Sequence, residues 1–341
     1  MSSSTDTRPY KEIGAGGCGA IYAQDGKPLA LKLAKADDSD LWNDYSMHTL
    51  ILENVKHYDI EIRVPECYCF VPKDDMTYFE NNQALVIAAQ NFSNFPTNIL
   101  ATERILPLPE ITRTRLIEKY CAERIKPIAL VDPANRDCLV RVYLGSLQGK
   151  SGGTFFSLRN FKLHFNHMID LQLDVEEMAS QIAEALAVMH WAARTDARDV
   201  EFVLGSSPEK LPLSTKSHAE ILKMRPGTYT GPVTRDHEDF FHRQTELWLL
   251  DFNQVRAITM DEAGVAQAVQ AAMTNDPYFP RPLQENADAK RVWNQFEQSY
   301  LDMADEILSE QDPTLQELPR LFIQQFAELQ RKKQETAVNS E

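Results

Sequence analysis

The feature that most constrains this chain is a glycine-rich segment between two strand-like stretches. The spacing is Gly-x-Gly-x-x-Gly, at Gly14, Gly16 and Gly19. An Asp-Gly pair then predicts a hairpin turn into an apolar stretch that carries Lys32. A dinucleotide-binding loop joins a strand to a helix, whereas these glycines join two strands. The arrangement is typical of the glycine loop of protein kinases and of their phosphate-pairing lysine.

Hydrophobic periodicity predicts the elements that follow. Strands are predicted from β-branched and aromatic stretches at 60–71, 84–89, 97–105, 138–145, 200–204 and 247–250. Helices are predicted from apolar residues at helical spacing at 40–56, 110–126, 174–193, 261–275, 286–309 and 314–333, the first with Ser39 or Asp40 as its cap.

This order of elements predicts an α+β protein with a bilobal, protein-kinase-like fold. The N-terminal lobe, 11–107, is a small β-sheet with one helix, and the C-terminal lobe, 108–333, is mainly helical. Residues 1–10 and 334–341 are predicted to be disordered tails. A chain of 341 residues is long enough for two such cores.

Carboxylates cluster where a kinase has its catalytic loop. Asp196, Asp199 and Glu201 lie between an apolar helix and an apolar strand. Glu201 stands five residues beyond Asp196, as the Asn metal ligand of a kinase follows its catalytic Asp. Such crowded acids repel one another unless a cation compensates them. We therefore expect a metal ion or a cationic substrate there, although a solvated, carboxylate-capped turn is an alternative.

A second strand delivers Asp251, followed by Phe252 and Asn253, where a kinase has Asp-Phe-Gly. Two strands that bring carboxylates to one point suit a divalent cation. The chain departs from the kinase pattern, because Glu201 replaces the Asn ligand, Asn253 replaces the Gly, and Ala-Pro-Glu does not occur. An acidic cluster equally suits a guanidinium substrate, because Arg–carboxylate pairing is bidentate.

The proline-rich loop Asn275–Pro282 either lines a site or braces the helices around it. The five cysteines lack a CxxC pair, so we interpret them as reduced and structural and expect no zinc site. No stretch reaches the 18 or so apolar residues of a membrane span, and the first residues lack a signal-peptide core. We expect a cytoplasmic protein.

The net charge of −15 excludes non-specific adhesion to DNA or to anionic membranes, so a nucleic-acid site must be a local patch. The stretch 113–126 is the most basic part of the chain. Its candidates for RNA binding are Arg113, Arg115, Lys119, Arg124 and Lys126. A solvated helix face is the alternative interpretation of this stretch.

Several segments together resemble a known family: Trp42-Asn-Asp44, 138–145, Leu158-Arg-Asn-Phe161, Asp196-x-x-Asp199-x-Glu201 and Asn275-Asp-Pro-Tyr278. Over about residues 10–305 the chain resembles fungal arginine-containing cyclodipeptide synthases, whose domain of unknown function is often labelled a zinc finger. The resemblance implies a transferase of secondary metabolism that joins arginine and a second amino acid into a diketopiperazine.

The resemblance also implies partners and roles. The substrates would be arginyl-tRNA and a second aminoacyl-tRNA, and no cofactor is required because the esters are already activated. Asp196, Asp199 and Glu201 would hold the guanidinium and act as the base. The other substrate-binding residues would be Gly14, Gly16, Gly19, Lys32, Asp251 and Asn253.

Two other functions remain open. A small-molecule phosphotransferase would use ATP and Mg²⁺, with Asp196 as base and the metal on Glu201 and Asp251. Lys32 would then pair the phosphates, steadied by Glu53 or Asp44. Alternatively, the altered kinase motifs indicate a catalytically inactive interaction module.

Overall fold

A computed structural model describes residues 9–35, 40–91, 95–150, 152–208, 223 and 243–338. These residues form a mixed α+β structure with two β-sheets, which confirms the α+β part of the predicted fold class. Residues 1–8 and 339–341 of the predicted tails lie outside the described residues, as does the candidate cap Ser39.

The first sheet is antiparallel and contains the glycine-rich segment. Its strand order is β1-β2-β3-β5-β4. The strands are β1 (Tyr10–Ala15), β2 (Gly19–Gln24), β3 (Leu29–Ala34), β4 (Cys67–Val71) and β5 (Ile99–Glu103). The predicted hairpin is confirmed, since β2 pairs with β3 across the turn at Asp25 and Gly26. Lys32 lies in the middle of the sheet, between Ile21 and Leu100.

Helix α1 (Asp40–Tyr58) confirms the predicted helix and buries the apolar residues Leu41, Ile51, Leu52 and Val55. The predicted strand at 84–89 is wrong, because this stretch forms α3 (Gln83–Ala88) after the short α2 (Met76–Asn81). Leu85 and Ala89 are fully buried and lie four residues apart, which is the period of a helix. A short apolar run does not distinguish a strand from a buried helical turn.

The second sheet has the order β7-β6-β8-β9. Its strands are β6 (Val140–Tyr143), β7 (Phe161–His164), β8 (Glu201–Pro208) and β9 (Arg243–Leu250). Strand β6 runs parallel to β7 and antiparallel to β8, and Glu201 pairs with Leu250. The ends of β6, β7 and β9 therefore lie together with the start of β8. We call this the acidic end of the second sheet.

Helices surround the second sheet: α4 (Glu110–Tyr120), α5 (Lys126–Val131), α6 (Phe165–Asp170), α7 (Val175–Ala187), α8 (Glu262–Thr274), α9 (Ala287–Leu308), α10 (Pro313–Gln316) and α11 (Leu318–Val338). The predicted helix 110–126 is too long, because the backbone becomes extended at Cys121. The helix predicted at 314–333 begins only at Leu318, after the separate α10. None of the helices in the described residues is long and apolar enough to span a membrane.

The helical core fixes the two loops that reach the acidic end. Helix α7 packs on α9, and the rings of Phe296, Tyr300, Phe322 and Phe326 stack between α9 and α11. The chain returns from this core through 193–200, which leads into β8, and through 275–282, which joins α8 to α9. Gly145 holds the second loop, since its N–H donates to the carbonyl of Pro277 at 2.9 Å.

Gly145→Ala is expected to lower the free energy of unfolding by about 2–4 kcal/mol. A Cβ at Gly145 would stand 2.2 Å from the carbonyl oxygen of Phe279, so backbone must move. Urea denaturation measures the change. Gly153→Ala is the matched control, because a Cβ there meets its nearest atom at an ordinary 3.5 Å. Equal stability of the two variants would contradict this account of the loop.

Candidate functional site

Lys32 joins the first sheet to the acidic end of the second. Its Nζ lies 2.5 Å from Oδ2 of Asp44 on α1 and 2.8 Å from Oδ1 of Asp251, which follows β9. Burial opposes the charge of Lys32, but the charges of Asp44 and Asp251 outweigh burial and raise its pKa. The lysine is therefore a permanent cation held by two carboxylates. Asp44 also accepts a hydrogen bond from the N–H of Phe252 at 3.1 Å.

Glu201 opens strand β8 and pairs with Arg141 of the neighbouring β6. The distance from Oε1 of Glu201 to Nη2 of Arg141 is 2.5 Å. Burial raises the pKa of Glu201 to about 7, helped by the charges of Asp251 and Asp199 and opposed by Arg141. At neutral pH Glu201 can therefore both accept and release a proton, as a general base requires.

The charge of Asp199 interacts with the charges of both Asp251 and Glu201. The backbone of Asp199 is left-handed, with φ of 61°, and its N–H donates to Oδ1 of Asn275 at 2.6 Å. Its carboxylate accepts a hydrogen bond from Gln254. Burial and the charge of Asp251 raise the pKa of Asp199. The site, which we call the acidic cleft, holds four carboxylates against two cations: Asp44, Asp199, Glu201, Asp251, Lys32 and Arg141.

Asp196 does not join this cluster, contrary to the expectation that the three acids converge. Its side chain is fully buried, and Oδ2 lies 2.7 Å from the guanidinium of Arg256. Oδ2 also accepts from Gln267, and Oδ1 accepts from the N–H groups of Arg198 and Arg256. Because both oxygens of the Asp196 carboxylate are occupied by these contacts, the side chain holds in place the loop that precedes β8. The sequence spacing did not reveal this, because Arg256 lies 60 residues further along the chain.

The glycine turn lies next to Asn253. The N–H of Gly16 donates to the carbonyl of Gly19 at 2.9 Å, and the side-chain amide of Asn253 donates to the sulfur of Cys18. Asn43 of α1 donates to the carbonyl of Asn253 at 2.9 Å. The structure thus brings the turn between Gly14 and Gly19 to the same side of the molecule as Asp251.

The basic candidates do not form one uniform surface. Arg113 faces inward, where its guanidinium donates to the carbonyl of Asn135. Lys119 pairs with Asp170, and Lys126 pairs with Glu123. Arg115 and Arg124 are exposed. Two of the five predicted phosphate contacts are therefore exposed and appear in no ion pair of the described residues.

The sequence analysis missed Tyr278 and Arg141 as site residues. The hydroxyl of Tyr278 is buried and has no hydrogen-bond partner among the described residues. Burial raises its pKa, and the charge of Glu201 raises it further. The loop that carries Tyr278 thus lines the cleft. The sequence feature that could have identified Arg141 is the presence of an arginine within an otherwise apolar strand.

The residues that would hold Mg²⁺ under the phosphotransferase hypothesis are Glu201 and Asp251. In the described ranges, no group of three or more His, Cys, Asp or Glu side chains is arranged to hold a metal ion. The described cysteines are all free thiols.

The family model DUF3669, described as zinc finger protein, matches residues 247–312. This segment is less than a quarter of the chain and contains the end of β9, Asp251, Asn253 and Tyr278. It contains neither cysteine nor histidine, the side chains that hold zinc in fingers. No curated protein matches the chain.

The resemblance to arginine-containing cyclodipeptide synthases is therefore wrong as a family assignment. The family that does match is described as a zinc finger protein, and the match supports neither a synthase family nor a kinase family. Any function must be argued from the cleft itself.

Tyr278→Phe is expected to leave the free energy of unfolding unchanged or to raise it by up to about 1 kcal/mol, because it removes an unpartnered buried hydroxyl. Tyr300→Phe is the matched control. The Tyr300 hydroxyl lies 2.9 Å from Nδ1 of His190, so its loss is expected to cost about 1–3 kcal/mol. Denaturant unfolding measures the free energy of unfolding of both variants. A larger loss of stability in Tyr278→Phe than in Tyr300→Phe would show that the Tyr278 hydroxyl has a partner.

Glu201→Gln is expected to change how stability depends on pH. The pKa of Glu201 is about 7 in the folded protein and about 4.3 in an unfolded chain, so the folded state binds more protons between these values. This contribution to stability is complete below about pH 4 and is lost as the pH rises through 7. The stability of the wild type relative to Glu201→Gln should fall by about 1–3 kcal/mol from pH 5 to pH 8. A flat difference would refute the raised pKa.

Proposed function

We propose that the acidic cleft transfers an acyl group to the amine of a cationic substrate, with Glu201 as the base that takes the proton. The observation that carries the proposal is the excess of carboxylates over cations around a glutamate whose pKa lies at about 7. Buried carboxylates that raise one another's pKa bind a cation favourably, because the cation relieves their repulsion.

Arginine is the cation that the cleft suits best. Glu201 already holds a guanidinium at 2.5 Å, that of Arg141, so its surroundings accept a planar cation. Within the part of the chain that the structure describes, Asp199 forms no ion pair, and a third of the Asp251 side chain is exposed although Lys32 binds one of its oxygens. Asp199 and the exposed part of Asp251 can therefore face a substrate.

The proposed reaction condenses arginyl-tRNA with a second aminoacyl-tRNA into a diketopiperazine. The α-amine of one residue attacks the ester carbonyl of the other, and Glu201 takes the amine proton. The C–O bond to the tRNA breaks, and the proton passes to the released ribose oxygen. The free α-amine then attacks the remaining ester in the same way and closes the ring. Both esters are activated, so positioning supplies most of the rate.

The tRNA would approach from the side that carries Arg115 and Arg124, the exposed basic residues of the stretch that form no ion pair within the described residues. Because each phosphate contact contributes about 0.7–0.9 unit to the slope of log affinity against log salt, binding through only these two residues is expected to weaken modestly as salt rises.

Phosphoryl transfer within a kinase-like fold is the second candidate, and Lys32 favours it. A lysine on the third strand, paired with a carboxylate of the following helix and facing an aspartate before Phe252, has the kinase arrangement. The glycine turn contacts Asn253, two residues after Asp251, through the sulfur of Cys18. Asp196 is bound to Arg256, so Asp199 would have to act as the base here.

The test supplies purified protein with arginyl-tRNA and a second aminoacyl-tRNA, without ATP or synthetases, and measures cyclodipeptide by mass spectrometry. Product is expected, and prior ribonuclease treatment of the tRNA should abolish it. Glu201→Gln is expected to lower the rate at least about 100-fold, as loss of a general base does. Asp305→Asn, an acid in an exposed ion pair with Arg320, is the matched control and should retain full activity.

Lys32→Met separates the two candidates. It should abolish phosphoryl transfer, which needs the lysine, and slow acyl transfer only through the loss of the ion pairs to Asp44 and Asp251. Product that appears only with ATP and free amino acids would contradict acyl transfer from tRNA.

A further inference from the structure

A serine and a histidine are hydrogen-bonded next to the acidic cleft. Oγ of Ser146 lies 2.7 Å from Nδ1 of His164, and both residues are half-buried. Ser146 follows β6, and His164 is the last residue of β7. A hydroxyl and an imidazole at this distance are the first two members of a nucleophile–base arrangement.

The pair lies at the same end of the second sheet as the acidic cleft. Strands β6 and β7 run parallel, so their final residues lie side by side, and β8 begins with Glu201 on the other side of β6. With neighbouring strands about 4.8 Å apart, β7 is roughly 10 Å from β8. The ring of Tyr143 contacts His164 at 5.8 Å and Tyr278 at 5.1 Å, which connects the pair to the cleft.

The His164 ring is held in position from several sides. Tyr143 and His167 both pack edge-on against it. Gly149 closes a third side, because a Cβ there would lie 2.4 Å from Cδ2 of His164. A ring held by packing keeps its nitrogen directed at the serine without reorganisation.

The charge state of His164 suits a base. Burial lowers the pKa of His164, and the positive charges of His167 and Lys162 lower it further. At neutral pH the imidazole is therefore uncharged and can accept a proton.

Holding the loop does not require the side-chain bond. The backbone already fixes this turn, because Phe165 donates its N–H to the carbonyl of Ser146 at 2.9 Å and Asn166 bonds Gly149. The Ser146–His164 bond is thus available for chemistry.

We propose that Ser146 is a nucleophile, activated by His164, that accepts the acyl group of an activated ester as an acyl-serine. His164 takes the hydroxyl proton while Oγ attacks the ester carbonyl. The ester C–O bond breaks, and His164 returns the proton to the released oxygen. The amine of the second substrate then attacks the acyl-serine carbonyl and gives its proton to Glu201. The C–Oγ bond breaks, Oγ takes up a proton from water through His164, and Glu201 returns its proton to water. This inference rests on the proposed acyl-transfer function, to which it adds a covalent intermediate.

The test uses the full-length protein and an alkyl fluorophosphonate, which reacts only with activated serines, followed by peptide mass spectrometry. One label per chain is expected, on Ser146, and none on Ser146→Ala. His164→Gln should label at least 10-fold more slowly, and so should Gly149→Ala, which displaces the ring but keeps both groups. Ser157→Ala is the matched control and should label as the wild type does. Thermal unfolding checks that each variant is folded.

Absence of label on Ser146, or equal labelling of the wild type and folded His164→Gln, would overturn the inference. The outcome is separable from that of the proposed function. If Ser146 is labelled but the protein makes no cyclodipeptide from charged tRNA, the nucleophile is supported and the proposed substrate is wrong. If Ser146→Ala forms product at the wild-type rate, acyl transfer is supported and the covalent intermediate is wrong.

Discussion

The ion pairs of Lys32 are the interaction on which the site depends. The Lys32 side chain is only 18% exposed, and its ammonium group holds one carboxylate from α1 and one from the residue that follows β9. Removing Lys32 would leave the buried carboxylate of Asp44 without its partner, which costs more than the pair itself contributes. Asp44 additionally holds the backbone N–H of Phe252, so the first sheet, the helix and the second sheet are fixed relative to one another at this point.

This arrangement has a consequence for the remaining acids. Lys32 is engaged by Asp44 and Asp251, and Arg141 pairs with Glu201, so Asp199 has no ion pair within the described residues and the charges of Arg198 and Arg141 offset it only in part. Burial raises the pKa of Glu201 to about 7, and the charges of Asp251 and Asp199 contribute to this rise. Uncompensated negative charge in a half-buried cleft favours cationic ligands, and a glutamate that titrates near neutral pH favours proton transfer from an amine. The proposed substrate class and the proposed mechanism both rest on this one electrostatic feature.

Local patterns in the sequence predicted the hairpin, helix α1 and the position of Lys32, because turn residues and helical spacing act over a few residues. They also placed Glu201 and Asp251 at strand ends that meet. They could not predict that Asp196 turns away to Arg256 or that Arg141 comes to Glu201, since those contacts join distant parts of the chain. A family likeness read from short segments was wrong for a related reason: short motifs report local geometry, and chemistry depends on which side chains converge.

The most direct measurement is isothermal titration calorimetry of arginine methyl ester binding at pH 7, repeated in buffers of different ionisation enthalpy. A cation that enters the acidic cleft should stabilise ionised Glu201, so binding should release a substantial fraction of one proton, and Glu201→Gln should release none. The measured enthalpy would then vary with the buffer for the wild type only. Absence of binding, or binding with no proton release in the wild type, would contradict the claim that this cleft is built for a cationic substrate with Glu201 as its base.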